Sequence, residues 1–174
     1  ALSEGEEVVE AVLGLPQTVA PGEVEARPLL PSFLYLPHPD EFTKEALALL
    51  GGHPAWGYNL DPANLMLAGV DPVVFVAELG ERVFHAHAKD GEVVAHHAAR
   101  SGMFAHGPWS RRDRGFRFRV PGWGDIPWKR LLTELRLAGY DGVLAVEHED
   151  PTMGRIEGLT KAVEYLNPLL LRDA

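Results

Sequence analysis

The sequence predicts an α/β protein built on a parallel sheet. Between residues 56 and 166, short apolar segments alternate with segments of helical spacing, and the apolar segments end in polar side chains. Strands separated by helices of this length are typical of βαβ units. We expect a single domain over residues 1–174, because a chain of 174 residues with 46% hydrophobic content can bury a core of ordinary domain size.

The elements before residue 81 begin the alternation. The segment RPLLPSFLYL predicts a strand or an extended segment, and DEFTKEALALL predicts a helix that stops at Gly51 and Gly52. AWGYNLD predicts a short strand that ends in the carboxylate of Asp61. DPVVFVAELG predicts a helix with Pro72 in its first turn and Gly80 near its end.

The elements after residue 81 continue the alternation of strands and helices. RVFHAHAKD predicts a strand, and DGVLAVEHED predicts another with an acidic end. WKRLLTELRLAGY predicts a helix between them, and EGLTKAVEYLNPLLL predicts a last helix that is disturbed near Pro168. The broad apolar face of the first of these helices carries Leu131, Leu132, Leu135 and Leu137. Three strands are therefore well supported, with a fourth before them.

The stretch from Gly91 to Trp128 has little helical pattern and is rich in His, Arg, Gly and Trp. We interpret it as a functional loop at the carboxyl ends of the strands, where parallel α/β folds bind ligands. Within it, GFRFRV predicts a short strand with both arginines on one face. A guanidinium group suits phosphate or carboxylate oxygens, so Arg119 is the candidate contact for a substrate anion.

Composition excludes several classes of protein. A net charge of −9 and a pI near 5.3 argue against a nucleic-acid partner. The chain has no cysteine, so any metal must be held by His, Asp, Glu or carbonyl oxygens. No apolar run approaches the roughly 20 residues of a membrane span, and the acidic opening ALSEGEEVVE lacks the basic start of a signal peptide. We therefore expect a cytoplasmic protein with no membrane partner.

Polar residues follow one face of the three best-supported strands. Because side chains alternate along a strand, Asp61, His87 and Glu147 all belong to the faces opposite the apolar ones. Adjacent strands lie about 4.8 Å apart, so three such residues at strand ends are close enough to share one divalent cation. The sequence therefore predicts these three residues as metal ligands, with His85 and Lys89 lining the same site.

Each of these residues also has a structural interpretation. Asp61, which precedes Pro62, is of a type that often caps the following turn, and His87 alone is typical of a hydrogen-bonded core histidine. Glu147 alone is compatible with a solvated strand end. Lys89 either contacts substrate hydroxyls or forms an ion pair with Asp90. The matching positions on three strands favour the metal site.

Three segments resemble a known family: GYNLDPANLMLAGVDPVVFVAELGERVFHAHAKD, RFRVPGWGDIPWKRLLTELRLAGYDGVLAVEHED and EGLTKAVEYL. They look like the C-terminal half of the sugar phosphate isomerase/epimerase family, the xylose isomerase-like TIM barrels. The resemblance covers about residues 56–166, about four βα units, and the D-P-x-x-L, H-x-K-D, P-G-x-G and E-H-E-D motifs arrive in the family's order. Residues 1–28 are an atypical N-terminal segment.

The resemblance implies a (β/α)8 barrel that binds a divalent cation, most often Mn²⁺, with Mg²⁺, Co²⁺ or Zn²⁺ as alternatives. Carried over by position, the ligands are Asp61, His87 and Glu147, and Glu147 also moves a proton at the carbon beside a carbonyl. The implied activity is isomerisation or epimerisation of a sugar or sugar phosphate. The family's first ligand, a Glu, falls near Leu29 and Leu30, where no acid stands.

Further alternatives stay open. Asn64 stands where family members often have His; its amide can bind a sugar hydroxyl but cannot carry a proton near neutral pH. A non-catalytic member that binds a sugar or a partner is the second hypothesis, and an endonuclease-like relative, disfavoured by the acidic charge, is the third. Barrels of this type run to about 250 residues. The chain is thus either a piece or shortened form of a barrel, or a second copy or another chain completes it, or its N-terminal segment covers an edge.

Overall fold

The computed structural model describes residues 10–13 and 57–171. The segments RPLLPSFLYL and DEFTKEALALL and the position near Leu29 and Leu30 lie outside the described residues. The strands are β1 (Glu10–Leu13), β2 (Tyr58–Leu60), β3 (Val83–Ala88), β4 (Asp90–Val93), β5 (Phe116–Arg119) and β6 (Leu144–Glu147). The helices are α1 (Pro62–Leu67), α2 (Pro72–Leu79), α3 (Ala95–Ser101), α4 (Trp128–Leu137) and α5 (Arg155–Leu166).

The main sheet has four strands in the order β1, β6, β3, β2. Strands β2, β3 and β6 run parallel, with Leu60 opposite Ala86 and Ala86 opposite Leu144. The predicted parallel α/β arrangement is therefore confirmed. Strand β1 pairs antiparallel with β6, and Glu10 lies opposite Glu147, so part of the N-terminal segment covers the β6 edge.

Helices α2, α4 and α5 form in the segments that were predicted as helices, whereas α1 was predicted only as a turn after Asp61. The Asp71 side chain accepts hydrogen bonds from the backbone N–H groups of Val73 and Val74 and caps α2, which continues into a 3₁₀ turn at Gly80–Arg82. The last helix also ends in a 3₁₀ turn, at Asn167–Leu169, where Pro168 interrupts the chain. None of the helices in the described part of the chain is long and apolar enough to cross a membrane.

One predicted core position is wrong. Leu131, Leu132 and Leu135 of α4 are buried, but the side chain of Leu137 is 76% exposed. Two residues along a helix correspond to a rotation of about 200°, so Leu137 points away from the face that contains Leu135. The buried face of α4 is therefore narrower than the predicted one.

The interpretation of residues 91–128 as a loop was also wrong. This stretch contains α3, and β5 pairs antiparallel with β4 in a second, two-stranded sheet. None of the residues of helix α3 is buried. Its sequence, AHHAARS, therefore has no apolar periodicity, and a helix could not be predicted from it. The predicted alternation in β5 is correct, because Phe116 and Phe118 are buried while Arg117 and Arg119 are partly exposed.

The core of the parallel sheet lies on the face opposite the polar strand ends. Leu60, Ala86, Leu144 and Val146 are at most 2% exposed and pack in one cluster with residues of α2, α4 and α5. Burying side chains of this size contributes roughly 1.5–3 kcal/mol each for the larger ones. This packing fixes the three strands against one another and so fixes the relative positions of the residues at their ends.

Asp90 anchors the loop that connects β5 to α4. Its buried carboxylate accepts hydrogen bonds from the backbone N–H groups of Gly122 (2.9 Å) and Ile126 (3.0 Å) and from the indole N–H of Trp128 (2.8 Å). A carboxylate without a cation is retained in a buried position only when its oxygens are satisfied in this way. Asp90 is thus engaged by the loop and not by Lys89, so the alternative of a Lys89–Asp90 ion pair was wrong.

We predict that Gly124→Ala destabilises the protein. A Cβ atom at residue 124 would overlap the Asp90 carboxylate and the backbone oxygen of Gly91. Overpacking of this kind costs about 1–3 kcal/mol in the free energy of unfolding, measured by denaturant titration. Gly154→Ala is the control, because nothing lies within 4 Å of a Cβ there. Equal stability of the two variants would show that the loop is not held tightly against Asp90.

Candidate metal centre

Three potential ligands meet at the carboxyl ends of the parallel strands. Asp61 follows β2, His87 is the fifth residue of β3, and Glu147 ends β6. One carboxylate oxygen or ring nitrogen from each lies within 4.8 Å of the corresponding atoms of the other two. The sheet register accounts for this convergence, since β3 lies between β2 and β6 and all three strands end at the same edge.

The imidazole of His87 faces both carboxylates with the same ring nitrogen. Its Nδ1 atom lies 2.7 Å from Oε2 of Glu147 and 3.9 Å from Oδ2 of Asp61. Burial alone would lower the pKa of His87, but the hydrogen bonds and charges of Asp61 and Glu147 outweigh it and raise this pKa to about 9. In the metal-free protein His87 is therefore an imidazolium at neutral pH.

The ammonium group of Lys89 lies among three carboxylates. Its Nζ atom is 2.9 Å from Oδ2 of Asp61, 3.0 Å from Oε2 of Glu147 and 2.9 Å from Oε2 of Glu149. The residue is only 3% exposed. Burial alone would lower the pKa of Lys89, but the three carboxylates raise it, so the ammonium stays charged.

The two carboxylate oxygens of Asp61 have different partners. Oδ1 accepts the backbone N–H of Asn64 at 3.0 Å and caps α1, as the structural interpretation of this residue predicted. Oδ2 faces Lys89 and His87 and also accepts the amide N–H of Asn64 at 2.6 Å. The cap holds the carboxylate in place while one oxygen stays directed at the site.

The site as a whole carries excess negative charge. Burial opposes ionisation of Asp61 and Glu147, but His87 and Lys89 lower the pKa values of both carboxyl groups. With Glu149, three carboxylates then face two cationic groups. A divalent cation in place of the proton on Nδ1 of His87 would balance the charges.

Aromatic residues of β5 and of the loop before it wall one side of the site. Lys89 Nζ lies 4.7 Å from the centroid of the Phe118 ring, and the rings of Phe118 and Trp109 are 4.6 Å apart. The guanidinium of Arg114 lies 3.7 Å above Trp109. Cation–π contacts of this type strengthen when the ring excludes water, so Phe118 helps to keep the Lys89 ammonium in its position.

The other predicted site residues lie near this cluster or beyond it. The ring of His85 stacks edge to face on His87, with centroids 5.3 Å apart. Arg119 donates to the Trp123 carbonyl at 3.2 Å and to the Thr152 hydroxyl at 3.1 Å, so it links two loops beside the site. The roles of His85, Asn64, Lys89 and Arg119 in binding a substrate stay predictions.

Glu149 and Asn59 also belong to the site, although neither was predicted as a site residue. Glu149 binds Lys89, and the amide of Asn59 lies beside His87, with Nδ2 3.4 Å from Nε2. The signal for both was strand alternation, since Asn59 lies two residues before Asp61 and Glu149 two residues after Glu147. Glu149 was interpreted only as part of an acidic strand end.

The donor set fits a divalent cation. Two carboxylates and one imidazole suit metals such as Mn²⁺ and Zn²⁺ and leave coordination positions open. The buried Oδ1 atom of Asn59 has no hydrogen-bond partner among the described residues, and it lies on the side chain next to His87. A site whose carboxylates are otherwise held together by Lys89 has the charge and the ligand types that such a cation requires.

Fold and site together define a parallel α/β protein with polar residues gathered at the carboxyl ends of its strands. Residues 31–169 match the sequence model of the xylose isomerase-like TIM barrel family. The chain belongs to this family, so the predicted resemblance is confirmed.

Several known proteins are similar to this chain. The uncharacterized protein YfiH of Bacillus subtilis is 32% identical over 116 residues, which are 65% of this chain and 37% of that protein. The inosose dehydratase of Lacticaseibacillus casei is 32% identical over 109 residues, or 62% of this chain and 36% of that protein. The rhizopine catabolism protein MocC of Rhizobium meliloti is 35% identical over 98 residues, or 55% of this chain and 29% of that protein.

Among solved structures, a xylose isomerase domain protein from Planctomyces limnophilus has a similar fold. The TM-score is 0.54 with 26% sequence identity, over 74% of this chain and 43% of that one. The matched part of the chain thus spans about a third of the length of the curated relatives and less than half of the solved structure.

We predict that Lys89→Met destabilises the metal-free protein by about 3 kcal/mol, because it leaves buried carboxylates without their shared cation. Added Mn²⁺ should then raise the melting temperature of the variant more than that of the wild type, since no ammonium competes for the oxygens of Asp61 and Glu147. Calorimetry with and without Mn²⁺ measures both effects.

The control is Lys129→Met, which replaces an exposed lysine of α4. Its stability should change by no more than about 0.5 kcal/mol. A Lys89→Met variant as stable as this control would show that the ammonium does not hold the carboxylates together.

Proposed function

We propose that the chain forms part of a divalent-metal-dependent enzyme that moves a proton at the carbon next to a carbonyl group of a sugar or sugar phosphate, as an isomerase or epimerase. The observation that carries the proposal is the convergence of Asp61, His87 and Glu147 at the strand ends of a xylose isomerase-like fold. The similarity to an inosose dehydratase and to a rhizopine catabolism protein adds support.

Asp61, His87 and Glu147 would hold the cation, with Mn²⁺ favoured and Mg²⁺, Co²⁺ or Zn²⁺ as alternatives. When bound, such a cation polarises the oxygens of a carbonyl and its neighbouring hydroxyl group and lowers the barrier to loss of the intervening proton. Its binding requires His87 to release the proton on Nδ1, because that nitrogen faces both carboxylates.

Glu147 is the candidate base. His87 and Lys89 hold its pKa below the ordinary value despite burial, so its carboxylate is ionised at neutral pH and able to accept a proton. Lys89, whose Nζ atom also pairs with Oε2 of Glu149 at 2.9 Å, would donate a hydrogen bond to a substrate oxygen that gains negative charge. Asn64 and His85 are proposed to bind hydroxyl groups, and Arg119 a substrate anion.

A second candidate reaction is dehydration. The similarity to an inosose dehydratase favours it, since loss of water beside a carbonyl also begins with removal of a proton from the adjacent carbon. The same Glu147 carboxylate would remove the proton in both reactions. The two differ in the product, because isomerisation keeps the elements of water and dehydration expels them.

The relatives are about three times as long as the matched segment, so the complete active site is proposed to need further strands. We infer that the sheet corresponds to the C-terminal part of a barrel, which needs further strands to close. These strands would come from a longer form of the chain, a second copy or another chain.

The test is cation analysis of the purified protein, followed by proton exchange from ketoses and from inosose in deuterated water. We predict one Mn²⁺ per chain and solvent deuterium at the carbon beside the carbonyl. Glu147→Gln should lower the exchange rate by at least about 100-fold, which is the usual contribution of a general base.

The matched control is Glu157→Gln, which changes an exposed acid on α5 and should leave exchange unchanged. Product analysis by mass separates isomerisation from dehydration. In the protein that includes the further strands, a cation or a sugar that binds without any exchange would contradict the enzymatic proposal and support a non-catalytic binding protein.

A further inference from the structure

Asn59 of β2 lies beside the outer ring nitrogen of His87. Its amide Nδ2 atom is 3.4 Å from Nε2, on the side of the ring opposite the carboxylates of Asp61 and Glu147. The other amide atom, Oδ1, is buried and has no hydrogen-bond partner among residues 57–171. A buried amide oxygen without a donor is unfavourable, because it has lost its hydrogen bonds to water and gained none in the protein.

The bonding of Nδ1 of His87 determines whether Nε2 carries a proton. A cation shared with Asp61 and Glu147 needs the lone pair of Nδ1, so the ring must then carry its proton on Nε2. The same holds for the metal-free protein in acid, since a protonated imidazole ring has an N–H group on both nitrogens. In either state an N–H group on Nε2 points at the amide of Asn59 and needs an acceptor.

The amide of Asn59 supplies that acceptor after one rotation. Its oxygen and nitrogen are nearly equal in size, so a half-turn about the Cβ–Cγ bond exchanges them without moving any neighbour. The rotation places Oδ1 next to Nε2, where it accepts the N–H group, and gives the unpartnered oxygen its hydrogen bond. Without the rotation, the N–H donor Nδ2 of Asn59 would face the N–H donor Nε2 of His87.

We propose that Asn59 is a positioning residue that accepts the Nε2–H group of His87 through Oδ1, and thereby keeps the Nδ1 lone pair directed at the cation held with Asp61 and Glu147. This inference rests on the proposed metal site. Partners of this type commonly change metal affinity by 10–100-fold, because they fix both the tautomer and the orientation of the ring.

The experiment compares the wild type with Asn59→Leu and Asn59→Asp. Leu has a similar size but no acceptor, whereas Asp keeps an oxygen at the same place. In ¹H–¹⁵N spectra of the metal-free protein at about pH 5, below the ordinary pKa of an imidazole, the Nε2–H signal of His87 should be visible in the wild type and in Asn59→Asp, and should be lost by rapid exchange with water in Asn59→Leu.

Titration calorimetry with Mn²⁺ provides the second readout. Asn59→Leu should bind Mn²⁺ at least about 10-fold more weakly than the wild type, and Asn59→Asp should bind it at least as tightly as the wild type. Circular dichroism melting identifies any variant that fails to fold. The ¹H–¹⁵N spectrum of the wild type tests the hydrogen bond between Asn59 and His87 even if a variant does not fold.

An absent Nε2–H signal in the wild type, or equal Mn²⁺ affinity in Asn59→Leu, would overturn the role of Asn59. A wild-type protein that binds no Mn²⁺ would instead overturn the proposed function. The spectra would then still show whether Asn59 accepts from His87, so the two failures are distinguishable.

Discussion

The ion pairs of Lys89 are the interaction on which the candidate site depends. Its ammonium lies within 3.0 Å of oxygens of Asp61, Glu147 and Glu149, which come from two different strand ends. Without a cation at this position, two buried or partly buried carboxylates would repel each other across the sheet. Lys89 therefore holds the ligands together in the metal-free protein and binds the same oxygens that a divalent cation would use. Cation binding would move the ammonium away from Asp61 and Glu147, with Glu149 left as its partner.

The two faces of one segment link this site to the rest of the fold. In residues 85–90, His85, His87 and Lys89 face the polar cluster, whereas Asp90 faces the loop that leads to α4. Because side chains alternate along a strand, residues 85–90 form the charged centre on one side and anchor the loop on the other. The loop and β5 in turn place Phe118 beside Lys89.

Much of this arrangement was predictable from local sequence signals. Helix α2 has both Asp71 as its cap and Pro72 in its first turn, and the three parallel strands have apolar faces that end in polar residues. Predictions failed where no such signal exists. Helix α3 buries nothing and so has no periodicity, and Leu137 follows the apolar residues of α4 but lies on the opposite side. The bonds of Lys89 to Glu149 and of Asn59 to His87 depend on distances between strands, which alternation alone does not give.

The most direct test of the shared cation site is a crystal structure of the protein soaked in Mn²⁺, with the ion located by its anomalous scattering. We predict one peak at about 2.2 Å from oxygens of Asp61 and Glu147 and from Nδ1 of His87, with the ammonium of Lys89 displaced toward Glu149. A peak elsewhere, or no peak while Lys89 stays between the same carboxylates at saturating Mn²⁺, would contradict the account.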